Sequence, residues 1–241
     1  MLKAFKRMRP DTIIGGINKL IEEFGFSQTR YHNFAYYGGG ANLGVSKYNR
    51  AKYLSLRERF NNYPKVDNQY YILLYTLILF GFNNQMRFND KGHFNLPVGK
   101  RDFNLVIETK LVRFLEALRS QNNELRQGDF RTFDFQMLTD KSVVYCDPPY
   151  LITTATYNEK AGWTDKDEID LLKLLDSLNE RNIKFALSNV LTHEGKENAF
   201  LGRWLEQNDY NVHHLFMDYH YSNYQKKSKK ADSEEVLITN F

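Results

Sequence analysis

The side chains best suited to chemistry in this 241-residue chain stand together in Asp147-Pro148-Pro149-Tyr150. They follow residues 142–146, a short and largely apolar run that predicts a β-strand. Ligand sites of open α/β sheets lie beyond the carboxyl ends of strands, which is where this tetrapeptide stands. A structural interpretation is also open, because two prolines can end a strand as a rigid turn against which Tyr150 packs.

The chemistry that this set favours is methylation of an exocyclic amino group. The amino nitrogen of adenine is a weak nucleophile because its lone pair is delocalised into the ring. If the Asp147 carboxylate and the Pro148 carbonyl accept its hydrogens, the nitrogen becomes more tetrahedral and its lone pair turns towards a methyl donor. We expect the prolines to fix the backbone that presents this carbonyl, and Tyr150 to stack on a base rotated out of a duplex.

Composition narrows the class of protein. The chain is 42% hydrophobic and 26% charged with a net charge of +4, which excludes disordered and collagen-like chains. Its single cysteine excludes an internal disulfide and a cysteine-based zinc site, and it favours a reduced, cytoplasmic compartment. The longest apolar run, residues 70–82, is shorter than the ~20 residues that span a bilayer, so we expect no membrane association. His213 and His214 have no accompanying ligand set, and we expect no metal.

Apolar spacing predicts the elements that position the tetrapeptide. Helices are predicted over residues 13–24, 52–63, 70–80, 105–118, 164–178 and 198–206. Strands are predicted over residues 142–146, 183–187, 212–217 and 236–239. Strands separated by helices predict an α/β sheet of largely parallel type.

Residues 85–97 predict a β-hairpin. An Asn-Asp-Lys-Gly turn at 89–92 joins two segments whose side chains alternate. Positive charge lies on or beside it, from Arg87, Lys91, Lys100 and Arg101.

Further motifs accompany the tetrapeptide over nearly the whole chain, apart from residues 31–44, which look like an inserted loop. They are GFNN at 81–84, RFN at 87–89, Gly92, FNLPVGK at 94–100, GDF at 128–130, SN at 188–189 and EVLITN at 235–240. Together they resemble the Dam-type DNA adenine N6-methyltransferases, particularly the phage-like members of that family.

This resemblance implies a Rossmann-like methyltransferase sheet with a helical target-recognition region that carries the β-hairpin. Residues 1–104 would form the recognition region and residues 105–241 the catalytic part. The resemblance also implies S-adenosylmethionine as the methyl donor and double-stranded DNA as the substrate. The methylated site would be GATC-like, with the adenine flipped into the Asp-Pro-Pro-Tyr pocket.

Carried over residue by residue, the resemblance implies that Asp147 contacts both the target amino group and the methyl donor, which Asp129 and Phe130 also bind. Arg87 is expected to read a guanine, since Arg suits the O6 and N7 atoms of that base. The other residues expected at the DNA are Gln85, Asn89, Pro97, Lys100, Lys226 and Lys227. The last two belong to a basic run that is equally consistent with a solvated loop and with phosphate contacts.

One feature of that family has no counterpart in the sequence, namely the glycine-rich donor loop with its following acidic residue. We therefore expect a sheet that is incomplete at its N-terminal strands, an open apolar edge at residues 143–145, and a separate chain that supplies the missing segment. The alternatives are an inactive, truncated DNA-binding remnant, one half of a split methyltransferase, and methylation of another amino group such as a protein glutamine. Asp147 in place of Asn, together with the recognition hairpin, argues against the glutamine alternative.

Overall fold

The computed structural model describes residues 1–40, 43–153, 162–215 and 233–241. The chain divides into two compact units, Met1–Gln127 and Gly128–Phe241. The helix that begins at Leu105 lies inside the first unit, although the sequence assigned residues from 105 onwards to the catalytic part. The functional division between residues 104 and 105 stays a prediction.

The first unit is built from helices. They are α1 (Leu2–Arg7), α2 (Pro10–Phe24), α3 (Ser46–Asn61), α4 (Asn68–Phe80) and α5 (Leu105–Ser120). Each helix predicted from apolar spacing in this part of the chain is confirmed. α4 is apolar on every side, so that Leu73, Leu77 and Phe80 are all fully buried, and α2 and α3 pack against it. Asp67 begins α4 by accepting a hydrogen bond from the Tyr70 N–H.

Residues 85–97 reverse direction around a single antiparallel bridge, between Phe88 and Phe94, in place of the regular two-stranded hairpin that the sequence predicts. Backbone bonds flank this bridge on both sides, from the Asn89 N–H to the His93 carbonyl at 2.8 Å and from the Asn95 N–H to the Arg87 carbonyl at 3.0 Å. The N–H and C=O of Phe94 face away from the opposite side of the turn, and both bond the Asn61 side chain at the end of α3. The turn is therefore held by the helical unit, and the predicted regular hairpin is not confirmed.

The second unit is a mixed α/β layer. Its elements are β1 (Val143–Cys146), α6 (Asp165–Glu180), β2 (Lys184–His193), β3 (Lys196–Glu197), α7 (Ala199–Glu206), β4 (Asn211–Leu215) and β5 (Ser233–Thr239). The sheet has the order β1-β2-β5-β4, with β3 on β2. The predicted strands and both predicted helices are confirmed within the described residues, whereas residues 216 and 217 of the strand predicted over 212–217 lie outside them. Thr164 and Asp167 form the capping box that starts α6.

The prediction of a largely parallel sheet is wrong for the described strands. Of their pairings, β1 with β2 is parallel, whereas β5 lies between β2 and β4 and is antiparallel to both. A parallel neighbour needs a crossover of a dozen or more residues, usually helical. The sequence predicts no helix between residues 217 and 236, so the rule of alternating strands and helices does not apply to the last strand.

β1 lies at one end of the described sheet. Val143 and Tyr145, which point to the same face, are 59% and 62% exposed. Their exposure shows that this face of β1 is uncovered among the described residues. The open edge and the incompleteness of the sheet stay predictions.

Candidate active site

Asp147 leaves the carboxyl end of β1 beside Ser188 of β2, because the parallel register pairs the preceding residues Cys146 and Leu187. Asp147 is exposed, whereas residues 148–150 are partly buried. Burial raises the pKa of the Cys146 thiol to about 11, so this cysteine is an uncharged residue under the site. An accessible carboxylate thus lies at the sheet edge where α/β folds bind their ligands.

The Tyr150 hydroxyl joins the two strands at this edge. It donates to Asp147 Oδ1 at 3.4 Å and lies 3.4 Å from Ser188 Oγ. Burial raises the pKa of Tyr150; the Ser188 hydrogen bond lowers it, while the carboxylates of Asp147 and Glu235 raise it further. The phenol therefore stays neutral and keeps its proton for the Asp147 carboxylate.

Asp129, which is predicted to bind the methyl donor, is part of a network of ion pairs around Arg131. It caps the short 3-10 turn Phe130–Thr132 by accepting the Arg131 N–H at 2.9 Å. The Arg131 guanidinium bonds Asp129 at 3.0 Å, Asp167 at 2.6 Å and Asp170 at 2.7 Å. The pKa of Asp129 is lowered, chiefly by the Arg131 N–H, and these carboxylates raise the pKa of Arg131. Asp129 is therefore ionised and already holds a partner.

Phe130, the second residue predicted to bind the methyl donor, contacts both the Arg131 guanidinium and the Trp163 ring. The Arg131 guanidinium lies 4.5 Å from its centroid, and the Trp163 ring lies 5.9 Å away at an interplanar angle of 36°. Such an aromatic pair offers a partly exposed face to a planar ligand.

Glu168 is a fully buried carboxylate that sequence reasoning missed. It accepts hydrogen bonds from Trp163 at 2.6 Å, from Asn189 of β2 at 3.0 Å and from Asn198, the N-cap of α7, at 2.7 Å. These bonds join α6, β2 and α7 below the Tyr150 edge. Its spacing in the sequence could have indicated its burial, because Glu168 lies four residues, about one helical turn, before the buried Leu172 on the same face of α6.

The predicted base-reading residues lie in the first unit, where Asn95 holds Arg87 across the turn. Arg87 donates from Nε to Asn95 Oδ1 at 2.8 Å and from Nη2 to the Asn95 carbonyl at 2.7 Å. The Asn89 side-chain oxygen accepts from the N–H groups of Lys91 and His93, at 3.0 and 2.9 Å. Asn95 thus fixes the direction of Arg87, and Asn89 holds the shape of the turn.

The other predicted DNA residues differ in environment. Pro97 is exposed, and the Gln85 side-chain oxygen is buried with no hydrogen-bond partner among the described residues. Lys100 is partly buried at the end of the same segment. Lys226 and Lys227 lie outside the described residues. The structure thus places the described residues that are predicted to contact DNA in one unit, and the tetrapeptide with Asp129 and Phe130 in the other.

Within the described ranges, no three or more His, Cys, Asp or Glu side chains converge as a metal site would require. Nor does any helix in these ranges have the length and apolar character to cross a membrane.

The family of the chain follows from its similarity to known proteins. Residues 19–230 match the model of the D12 class N6 adenine-specific DNA methyltransferases. The chain belongs to this family. The matched range includes both the 85–97 turn and the Asp147 tetrapeptide, and the resemblance to this family is confirmed.

The relatives of this D12 class chain are bacterial methylases. It is 37% identical to the type II methyltransferase M.FokI of Planomicrobium okeanokoites and 34% identical to the modification methylase StsI of Streptococcus sanguinis. Both alignments cover 100% of this chain and 34% of the relative. The DNA adenine methylase of Escherichia coli K12 is 32% identical over 62% of this chain and 55% of its own length. The chain thus spans about a third of the length of the first two relatives.

Proposed function

We propose that this chain transfers a methyl group from S-adenosylmethionine to the N6 amino group of adenine in double-stranded DNA. The observation that carries this proposal is the accessible Asp147 carboxylate, beside Tyr150 and Ser188, in a D12 class chain. The pattern matches what the chemistry needs, namely a fixed acceptor for an amino hydrogen and an aromatic ring beside it.

The reaction follows from the groups at the strand end. Asp147 accepts one hydrogen of the amino group and the Pro148 carbonyl accepts the other, so the lone pair leaves the ring conjugation. The methyl donor supplies an electrophilic methyl group on sulfur. As the N–C bond forms, the S–C bond breaks, and the surplus amino proton leaves to water past the exposed Asp147. Tyr150, neutral and donating to Asp147, orients the carboxylate while its ring stacks on the flipped adenine.

Asp129 and Phe130 fit two parts of the methyl donor. The Phe130 face beside Trp163 suits the donor's adenine ring. The Asp129 side chain is 51% exposed and its lowered pKa keeps it ionised, so it can accept from a hydroxyl or an ammonium group. Its bond to Arg131 orients that carboxylate before the donor binds.

We propose a GATC-like recognition site read from the turn of residues 85–97. Arg87, held by Asn95, reads guanine, and Gln85 and Pro97 contact the neighbouring bases. Asn89 acts by shaping the turn, and the remaining predicted residues, Lys100, Lys226 and Lys227, neutralise phosphates.

We further propose that another strand, from this polypeptide or from a separate one, pairs with β1 and completes the donor site. The position of β1 at the end of the described sheet, with one neighbouring strand among the described residues, supports this. Calorimetric titration of the chain with S-adenosylmethionine tests it, because micromolar affinity of the chain alone would contradict the need for a further strand.

The proposed setting is the cytoplasm of a bacterial or phage-infected cell, where the DNA substrate lies. The names of the StsI and LlaI relatives describe them as modification methylases. A role in DNA modification alongside a restriction enzyme is therefore the biological context that we propose.

Product analysis tests the proposed reaction. The chain is incubated with labelled S-adenosylmethionine and a GATC-containing duplex, alone and with the polypeptide encoded directly upstream. The DNA is then digested for mass spectrometry. We expect labelled N6-methyladenine in at least the supplemented reaction. Its absence from both reactions, with DNA binding retained, would instead identify a DNA-binding remnant, and label on a protein glutamine would identify the other enzyme class.

A further inference from the structure

Residues 30–52, here called the 30–52 segment, have a composition unlike the rest of the chain. They contain four Lys or Arg residues and five Tyr or Phe residues but no Asp or Glu. The whole chain has 29 acidic residues against 33 basic ones, so a run of this length without any acid is a local concentration of positive charge. The proposed recognition turn does not use these residues.

The aromatic side chains of the 30–52 segment form an exposed cluster. Tyr31 and Tyr36 are 69% and 67% exposed. The His32 and Tyr36 rings stack with centroids 4.0 Å apart, and Tyr37 lies 4.7 Å from Tyr48. Water solvates such rings poorly, and a contiguous apolar patch on a folded surface usually marks a binding site.

Cations lie among these rings. The Lys52 ammonium lies 3.0 Å from the Tyr48 ring centroid, and Lys47 and Arg50 are exposed on the same first turns of α3. Arg30 has a different role, because it is paired with Glu108 at 2.8 Å and bonded to the Phe103 carbonyl. Exposed rings interleaved with Lys and Arg are the features with which proteins bind nucleic acid, through base or sugar stacking and phosphate contact.

A buried polar network fixes the base of the segment. Asp102 is fully buried and accepts from Ser27 Oγ at 3.1 Å, from the Thr29 N–H at 2.7 Å and from Thr29 Oγ1 at 2.6 Å. Asn49, also buried, bonds both the backbone N–H and the hydroxyl of Ser27. These hydrogen bonds fix both ends of the 30–52 segment to Asp102, the Asn49 end through Ser27, and Asp102 lies two positions after Lys100 in the sequence.

Close backbone packing joins the segment to the recognition turn. A Cβ atom added at Gly44 would lie 2.2 Å from the Lys100 carbonyl oxygen, so only glycine allows this approach. Gly44 has a φ of +54°, in the left-handed region that also favours glycine. The 30–52 segment is thus in direct contact with Lys100, three residues after Pro97 at the end of the 85–97 turn.

We propose that the exposed face of the 30–52 segment is a second DNA surface, which binds the duplex flanking the base pairs read by the 85–97 turn. This inference rests on the proposed function. Lys47 and Arg50 contact phosphates, and Tyr31 and Tyr36 pack on the flanking sugars or bases. Arg30 is neutralised by Glu108, but Lys47 and Arg50 have no acidic partner among the described residues, and their charge favours DNA over a protein partner or a second copy of the chain.

Binding to two duplexes tests the inference. One duplex carries only the recognition site, and the other extends it by a helical turn on each side. We expect Lys47→Gln/Arg50→Gln to weaken binding of the long duplex on the order of tenfold and to reduce its salt slope by about 1 for each lost contact, with the short duplex little affected. Tyr31→Ser/Tyr36→Ser should also weaken binding of the long duplex on the order of tenfold. The matched control is Lys19→Gln/Arg113→Gln, which removes equal charge from exposed positions of α2 and α5.

Equal affinity of wild type and variants for the long duplex would overturn the inference, as would variants that change only self-association in light scattering. Methyl transfer is measured in parallel, so retained N6-methyladenine formation with unaffected flank binding would reject the second surface and leave the proposed function standing. Cross-linking of unaltered protein to 5-iodouracil in the flanks provides a readout that needs no variant. We expect adducts at Tyr31 or Tyr36, and adducts confined to residues 85–100 would contradict the proposal.

Discussion

Tyr150 connects Asp147, the proposed acceptor of the amino hydrogen, with Ser188 of the neighbouring strand β2. Its hydroxyl lies 3.4 Å from both Asp147 and Ser188, at the upper end of hydrogen-bond distances, so both contacts can shorten when a ligand excludes water. Asp147 is thereby oriented without being buried, which leaves its carboxyl group accessible. In the proposed reaction, the carboxylate that accepts the amino hydrogen and the hydroxyl that orients it thus belong to different residues of the same turn.

Arg87 carries the prediction on sequence specificity. Arg87→Lys keeps the charge but loses the planar fork, so we expect about 1–3 kcal/mol less discrimination at one base pair with little change in non-specific affinity. Initial methylation rates on duplexes with single base substitutions measure this. Arg113→Lys, at an exposed position of α5, is the control. Uniform loss on every duplex would show that Arg87 only contacts phosphate.

Asp167 carries a prediction on pH. Hydrogen bonds from Thr164, and then the Arg131 guanidinium, lower the pKa of Asp167 from its ordinary 3.8 to about 2. A depressed carboxyl pKa stabilises the folded state above the unfolded pKa, and this contribution is lost as the pH falls towards 2. Asp167→Asn should therefore lower the unfolding midpoint in urea at pH 5, and the difference from wild type should shrink towards pH 2. Asp165→Asn, at the first residue of the same helix, is the control. A difference that is independent of pH would contradict the assignment.

At the scale of elements, Glu168 holds three parts of the second unit together. Its carboxylate accepts from the Trp163 indole, from Asn189 of β2 and from Asn198 at the start of α7. β2 also carries Ser188, so the bond to Asn189 fixes the strand next to the Tyr150 contact. A buried carboxylate is stable here because all three donors point at it.

Removing the Glu168 carboxylate tests this arrangement. Glu168→Ala leaves the amides of Asn189 and Asn198 without their acceptor, and we expect a loss of about 2–4 kcal/mol in the free energy of unfolding. Chemical denaturation measures the change. Glu180→Ala, at the exposed end of the same helix, should cost less than about 0.5 kcal/mol. Equal effects of the two substitutions would contradict the central role of Glu168.

The elements differ in how far the sequence predicts them. Local patterns were sufficient for α4, where an unbroken apolar run predicts a buried helix, and for α6, where Thr164 and Asp167 predict the cap. The antiparallel position of β5 depends on long-range pairing with β2 and β4, which no local pattern encodes. The contact between Tyr150 and Ser188 depends on the β1–β2 register, and the bonds of Asn61 to Phe94 depend on how α3 packs. The sequence therefore indicates the tetrapeptide but not the partners that orient it.

At the scale of the whole molecule, the charge is unevenly distributed along a chain of net charge +4. The 30–52 segment has no acidic residue, and a second basic run includes Lys226, Lys227, Lys229 and Lys230. Affinity for DNA depends on such clusters rather than on net charge, because each neutralised phosphate releases condensed counterions.

The second basic run carries its own prediction. Lys226→Gln/Lys227→Gln should reduce the slope of log affinity against log salt by about 0.9 for each phosphate contact that is lost. Fluorescence anisotropy with a site-containing duplex at several salt concentrations measures the slope. Lys173→Gln/Lys184→Gln removes equal charge at exposed positions of the second unit and serves as the control. An unchanged slope would assign the run to a solvated loop.

The measurement that tests the central claim most directly is methyl transfer by an Asp147→Ala variant. Under the conditions in which the wild-type chain forms labelled N6-methyladenine, we expect this variant to form none above background while it still binds the duplex. Asp140→Ala, an exposed carboxylate in the turn before β1, should keep wild-type activity. N6-methyladenine formation by Asp147→Ala at the rate of the Asp140→Ala control would contradict the assignment of the Asp-Pro-Pro-Tyr edge as the site of the reaction.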